Sequence, residues 1–383
     1  MKQIKDKIAA LLYKLLLVIV KLVPAKSKDK HLLIIKLDEI GDFMLFRNYL
    51  KYFKQSPVYK DHKITLVGNA AWRPIFEEYD QSTTDETIWV SKKQFNRDLK
   101  YRLRLLMQVR KAGITDVVNC VFSRSLILDD GFALVATGKN KTAMVEDKIN
   151  TNRGKGSINL NRFIYNRFVD AGDEKVFDSL KDKQYLSEVL QMDLPFDIRF
   201  KVPNRFDKPA ESYYVIFIGA GMKVERKWPT ENFVACAEYI RQKNATLIPV
   251  VCGGPTEVED GKVFMESYSG QALDYTGKTS LPQFIEFLGS AAFLLSVDTG
   301  PVHMASGAGC PVVALYSGVH YGRYAPYPKE VSERFYSIYP DFVDQLVTEK
   351  SNAVYDSFAL KNEAIRTIPV SKVLPYLDKV IPA

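Results

Sequence analysis

Residues 293–316 read FLLSVDTGPVHMASGAGCPVVALY, and the order of residue types in this stretch decides the fold. An apolar run from Ala291 to Leu295 stops at the turn Ser296-Val297-Asp298-Thr299-Gly300-Pro301. Small residues suited to a helix follow, and Pro311 to Tyr316 is a second apolar run. Strand, turn, helix and strand in that order predict the parallel α/β unit. In an open parallel sheet the ligand crevice lies at the carboxyl ends of the strands, where helix amino termini point N–H groups at anions. Asp298, Thr299 and Gly300 fall at that place. Thr299 as a cap and Pro301 in the first turn would serve a purely structural turn just as well. Capping does not explain His303 one turn in, or Gly307 and Gly309, which let the backbone pass close. Phosphate or nucleotide binding and a capped turn both stand on this pattern alone.

The chain has 383 residues, 46% hydrophobic and 26% charged, which excludes general disorder and is long enough for two domains. Its net charge of +8 comes from scattered lysines and arginines, and no RNA or DNA module signature appears. That balance favours an anionic ligand or an acidic membrane surface and argues against a nucleic-acid partner. Cys120, Cys236, Cys252 and Cys310 have no C-x-x-C or Cys/His spacing, so they read as buried thiols in a reducing compartment, with no metal site.

Residues 1–30 form a separate arm. IAALLYKLLLVIVKLV, from Ile8 to Val23, is apolar except for Lys14 and Lys21, which recur with Lys7 every seven residues on one helical stripe. The run is short of the roughly 20 apolar residues that span a bilayer. The reading is an amphipathic helix lying on an anionic membrane surface, with a helix packed on the protein body as the alternative. No small-residue cleavage site follows, which argues against a secretory signal.

The first domain, 31–203, opens on HLLIIKL, a strand suited to burial on both faces, and its turn is Asp38-Glu39-Ile40-Gly41-Asp42. Three carboxylates make this turn poor company for a phosphate. Asp42 is instead a candidate general base, crowded by Asp38 and Glu39 toward higher proton affinity, or else merely a helix cap. Further strands are expected near 64–67, 87–90, 116–121 and 142–145, with helices over 72–79, 95–112, 125–136, 163–169 and 180–190. The alternation predicts a mostly parallel sheet.

Three prolines between Asp193 and Pro209 mark a linker, and a second domain over 204–355 restarts with a strand at Tyr213. Its turn is glycine-rich and basic: Gly219 and Gly221 would let Lys223, Arg226 and Lys227 converge on a diphosphate, or the loop is simply solvated. A strand over 246–252 ends at Gly253-Gly254, and Glu257 beyond it could accept hydrogen bonds from a ribose. Asp274 to Ser280 lacks the spacing of a phosphate-binding P-loop, and no G-x-G-x-x-G follows either opening strand, which argues against a nicotinamide oxidoreductase. Residues 356–383 contain an amphipathic helix expected to pack back on the first domain.

Several of these motifs coincide with one family. VDTGPVHMASGAGCPVVALY resembles the D-T-G-x-x-H-x-A signature of the glycosyltransferase family 9 heptosyltransferases, and LLIIKLDEIGDFML resembles their first strand and G-D turn. RKWPTENF is similar to their K-x-W-P segment, and TGKTSLPQFIEFLGSA to the run before D-T-G; order and spacing hold from His31 to about Tyr327. The resemblance implies an α/β GT-B architecture, two Rossmann-like domains facing a central cleft, with the donor nucleotide sugar held mainly by the second. It further implies an inverting transfer that uses no metal and no cofactor. On that pattern Asp42 is the catalytic carboxylate, and Asp298, Thr299, Gly300 and His303 are the donor-diphosphate motif. Arg226 takes the position of the family lysine with Lys227 beside it. The two side chains bind phosphate in different geometries, so the contact falls to either. Asp38 and Glu39 replace small hydroxyl residues and would face the acceptor.

The donor implied is ADP-heptose, and the acceptor a lipid-linked lipopolysaccharide core or related surface glycan, reached from the inner face of the cytoplasmic membrane. A sugar-nucleotide epimerase on the same frame and a non-catalytic nucleotide-sugar or glycan-binding relative are the alternatives.

Overall fold

A computed structural model describes residues 2–25, 30–145, 163–173, 175–220, 226–355, 360 and 362–382. The chain divides into two compact units, Met1–Asp173 with Leu180–Pro195, and Glu174–Ser179 with Phe196–Ala383.

The first unit is built on a six-stranded parallel sheet: β1 (His31–Lys36), β2 (Lys63–Asn69), β3 (Glu86–Val90), β4 (Asp116–Asn119), β5 (Asn140–Met144) and β6 (Arg167–Val169), in the order β3-β2-β1-β4-β5-β6. The second carries β7 (Tyr213–Phe217), β8 (Ile248–Cys252), β9 (Leu273–Asp274), β10 (Leu294–Val297), β11 (Val312–Leu315) and β12 (Phe335–Ile338), in the order β12-β11-β10-β7-β8-β9. Counted from its own first strand, each sheet has the doubly wound order of a dinucleotide-binding fold. Strands covered on both faces read as continuous apolar runs, which is why HLLIIK is buried throughout. Together the two units make the GT-B fold.

Three expectations need correction. The segment 163–169 contains strand β6: Asn166 accepts a hydrogen bond from the Lys141 N–H at 2.7 Å, and the following Arg167, Phe168 and Val169 pair with β5. Aromatic and β-branched residues gain more there from an open sheet edge than from a short isolated helix. The expected helix over 95–112 is interrupted at Asp98, whose carboxylate caps the N–H groups of Lys100 and Tyr101 at 2.9 and 3.1 Å and so starts a new helix, Leu99–Lys111. The helix Val370–Leu377 belongs to the second unit. Val373, Leu377 and Val380 join the core of the second, with Tyr214, Ile240 and Val313.

The amino-terminal helix, Lys2–Leu22, packs one stripe on the first unit: Tyr13, Leu17 and Val20 are buried in the same core as Phe95, Leu105 and Phe132. Arg102 covers the Tyr13 ring at 4.8 Å. Among the described residues no helix is long and apolar enough to cross a membrane. All four cysteines are buried and unbridged.

Candidate active site

In each sheet the strand order reverses beside the first strand, β1 next to β4 and β7 next to β10. At such a switch point neighbouring loops diverge and leave a crevice at the carboxyl edge. The turns after β1, β7 and β10 are the ones singled out by sequence.

After β1, Asp42 lies in the first turn of the helix Ile40–Phe46, half-buried, and its Oδ2 accepts the Glu39 N–H at 3.1 Å. The capping role is therefore realised. A carboxylate has about four acceptor positions, so capping does not by itself use up its capacity to accept a proton. The crowding expected from Asp38 and Glu39 is offset: Lys36 Nζ stands 2.9 Å from Asp38 Oδ2, and Lys92 Nζ 2.8 Å from Glu39 Oε1. Like charges that each bring a cation press far less on a third.

Sequence reading missed Lys36. It closes an apolar strand, where a lysine ordinarily stretches out to water, yet here it is buried and also donates to the Cys120 carbonyl at 2.9 Å. It missed two neutral supports as well: Asn69 Nδ2 and Trp72 Nε1 donate to the Asp38 carbonyl at 2.9 and 3.3 Å, and Trp72 stacks on Phe43 at 3.9 Å. These contacts fix the path of the Asp42 turn.

In the second unit Asp298 follows β10, Thr299 is the residue preceding the helix Gly300–Ala308, and Gly300 begins it. Thr299 does not cap that helix through its side chain. Its hydroxyl donates back to the Val297 carbonyl at 3.2 Å, and the Val302 N–H bonds to the Thr299 carbonyl at 3.1 Å; since Pro301 has no N–H, the Gly300 N–H is the first-turn donor that Thr299 does not take. Gly309 ends the helix at φ +88°, and a Cβ at Gly307 would come 2.5 Å from Phe200 Cε1. Both glycines thus serve the helix end and its packing.

His303 is buried and its Nδ1 is hydrogen-bonded to the Tyr327 hydroxyl. Burial pulls its pKa down to about 4 against the opposing pull of Asp178. A ring neutral at pH 7 hydrogen-bonds a diphosphate but adds no charge to hold it.

Of the basic turn after β7, Gly221 and Lys223 lie outside the described residues. Gly219 is buried where a Cβ would meet Phe217 Cε1 at 2.7 Å and Glu257 Oε2 at 3.1 Å. Glu257 is itself buried, accepting from the Gly254 N–H at 2.9 Å and the Thr256 hydroxyl at 2.8 Å, so its first task is to shape the turn after β8.

The two cations beside Trp228 differ. Lys227 Nζ is bonded to the Asp260 carboxylate, whereas the buried Arg226 Nε has no hydrogen-bond partner among the described residues. Trp228 anchors them: it is buried, donates to the Ile368 carbonyl at 2.9 Å and meets Phe233 edge-on at 5.0 Å.

Residues 169–349, which include this second constellation, match the family model described as glycosyltransferase family 9 (heptosyltransferase). The chain is glycosyltransferase family 9-like. A curated relative, the lipopolysaccharide core heptosyltransferase OpsX of Haemophilus influenzae, is 27% identical over 161 residues, 41% of this chain and 45% of that protein. The match thus spans less than half the length of that relative.

Among solved structures, a family 9 glycosyl transferase from Veillonella parvula aligns with a TM-score of 0.68 at 16% identity, over 93% of this chain and 98% of that one. Escherichia coli heptosyltransferase WaaC with ADP-2-deoxy-2-fluoro heptose aligns at 0.64 and 16% identity, over 91% and 99%. At these identities the likeness is one of fold, and it covers both units.

Proposed function

We propose that this protein transfers a heptosyl group from ADP-heptose to a lipopolysaccharide core or related lipid-linked glycan, with inversion and without a metal, at the inner face of the cytoplasmic membrane. The first unit serves the acceptor and the second the donor. Asp42 takes the proton from an acceptor hydroxyl as that oxygen attacks the anomeric carbon. The bond from that carbon to the diphosphate oxygen breaks, and its electron pair leaves with ADP.

The observation that carries this reading is the Asp298-Thr299-Gly300 turn. It lies at a switch point, at the start of a helix whose Gly300 N–H the Thr299 side chain does not cap, and β10 and β7 pair directly. That pairing makes the Arg226 turn its neighbour. Helix N–H groups and a guanidinium together stabilise the charge that develops on a departing diphosphate. The similar OpsX is a lipopolysaccharide core heptosyltransferase and WaaC binds ADP-2-deoxy-2-fluoro heptose, which supports the choice of acceptor and sugar. In this reading Asp38, Glu39, Glu257 and His303 line the two sites, with His303 a neutral donor or acceptor.

Two measurements test it. ADP-heptose at 100 times its dissociation constant is expected to stabilise the folded protein by about 2.7 kcal/mol in a thermal-shift titration. No shift with any nucleotide-diphosphate sugar would sink the donor assignment.

The Arg226 Nε, without a partner among the described residues, also separates it from Lys227. Arg226→Ala is expected to lower turnover roughly 10²–10³-fold, the cost of one lost transition-state donor. Lys227→Ala should cost distinctly less, because Asp260 already holds that ammonium. Equal losses would return the diphosphate contact to both side chains.

A further inference from the structure

The amino-terminal helix turns Leu11, Leu15, Val18 and Leu22 outward along one stripe, with Leu12 and Ile19 beside it, each 49–76% exposed. On a helical projection Lys14 and Lys21, both exposed, border this apolar face on one side, between it and the buried Tyr13-Leu17-Val20 stripe. At the carboxyl end of the helix a cavity of about 340 Å³ is lined by Lys21, Arg110, Lys139 and Lys141, with Phe163 on its wall, and by no carboxylate among the described residues. The cavity lies at the amino-terminal end of β5, whereas Asp42 follows the carboxyl end of β1.

Two of the four cations are fixed. Arg110 donates to the Val23 and Val135 carbonyls at 2.9 and 3.3 Å, and Lys141 to the Ala133 and Ala136 carbonyls at 2.5 and 3.0 Å. Lys21 and Lys139 are exposed and have no carboxylate partner among the described residues. Burial, then Lys21 and Arg110, pulls the Lys141 pKa down to about 8, which marks positive charge gathered without a counter-ion. Phe163, 80% exposed, continues the apolar surface past the cavity.

We infer that the outward face of this helix and the four-cation cavity form one membrane-docking surface, in which the cavity holds the phosphate of an anionic phospholipid headgroup. The inference rests on the membrane-surface reading above and gives it a site. A soluble anion would explain the cations and leave the adjoining apolar stripe without a purpose. A lipid uses both, because the exposed Leu22 follows Lys21 directly and the acyl chains would run along the apolar stripe that begins there. Helices of this kind lie in the interface with the apolar side in the acyl boundary and lysines at the headgroups.

The test is flotation of the full chain with vesicles of phosphatidylcholine containing phosphatidylglycerol, compared with phosphatidylcholine alone. Wild type is expected to float with the anionic vesicles, and Leu15→Gln combined with Ile19→Gln to abolish flotation. Lys14→Gln, on the helix but outside the cavity, sets the scale of diffuse attraction at about fivefold per charge. Lys139→Gln should exceed that loss several-fold, and inorganic phosphate should release more protein than chloride at the same ionic strength.

Equal losses for Lys139→Gln and Lys14→Gln, or phosphate acting like chloride, overturn the headgroup site while leaving the docked helix intact. Unchanged flotation of the Leu15/Ile19 variant overturns the membrane reading itself. Phosphate that stabilises the protein in a Lys139-dependent way, without vesicle binding, makes this a soluble-anion site and overturns the lipid.

Discussion

Exchanging Asp42 for Asn is expected to lower the turnover of sugar transfer by roughly 10²–10⁴-fold, the range a positioned general base supplies. Folding and donor affinity should stay close to wild type. Asn keeps an oxygen that can accept the Glu39 N–H, so the helix start survives. What disappears is the negative charge and, with it, the capacity to accept a proton. The surroundings are not rearranged, because Asp38 and Glu39 keep Lys36 and Lys92 and the turn stays tied to Asn69 and Trp72. A fall in kcat with unchanged donor binding identifies an interaction made in the transition state. Calorimetric donor titration beside initial rates makes the comparison. Undiminished turnover would remove Asp42 from the chemistry and leave it a helix cap.

The elements that were legible in advance owe this to a local cause. HLLIIK and the apolar core of YYVIF are buried strands, and burial on both faces writes itself as an uninterrupted apolar run. The D-T-G turn was legible because Asp, Thr, Gly and Pro in that order have few uses except at the end of a strand and the start of a helix. The missing parts are pairings between distant segments. Nothing near Lys227 in the chain announces Asp260, and nothing near Lys36 announces that it turns inward to Asp38 and the Cys120 carbonyl. Thr299 carries the local signal of a cap and yet spends its hydroxyl on Val297, because the residue type permits both bonds and only the backbone geometry chooses. The strand at Arg167–Val169 was misjudged for a related reason: a short apolar segment lacks the length to declare its period, and the free edge of β5 decides it.

Asp129→Asn is expected to stabilise the protein increasingly as pH rises, with the gap to wild type widening by about 4 kcal/mol between pH 5 and pH 9. Asp129 is buried at the start of the helix Asp129–Val135, its Oδ2 accepting the Ser125 N–H at 3.1 Å and its Oδ1 without a partner among the described residues. Burial, then the carboxylates of Asp38 and Asp130, pushes its pKa from 3.8 up to about 8, against Lys92 and the Ser125 N–H. Between those two values the folded chain keeps a proton that the unfolded chain gives up. The stabilisation from this group is therefore complete below about pH 4 and is lost as pH rises through about 8.

Asn has the shape of the neutral acid and does not titrate, so it should match wild type most closely in acid and outlast it in alkali. Urea unfolding of both proteins at the two pH values reads the difference, and parallel stability curves would show that Asp129 is ionised throughout. The position matters beyond stability. A neutral acid next to Asp38 adds no negative charge to the turn that carries Asp42, so Lys36 and Lys92 remain effective counter-charges there at neutral pH. Deprotonation of Asp129 in alkali would place a further carboxylate against that balance, so Asp129→Asn should also flatten any alkaline fall in turnover that wild type displays.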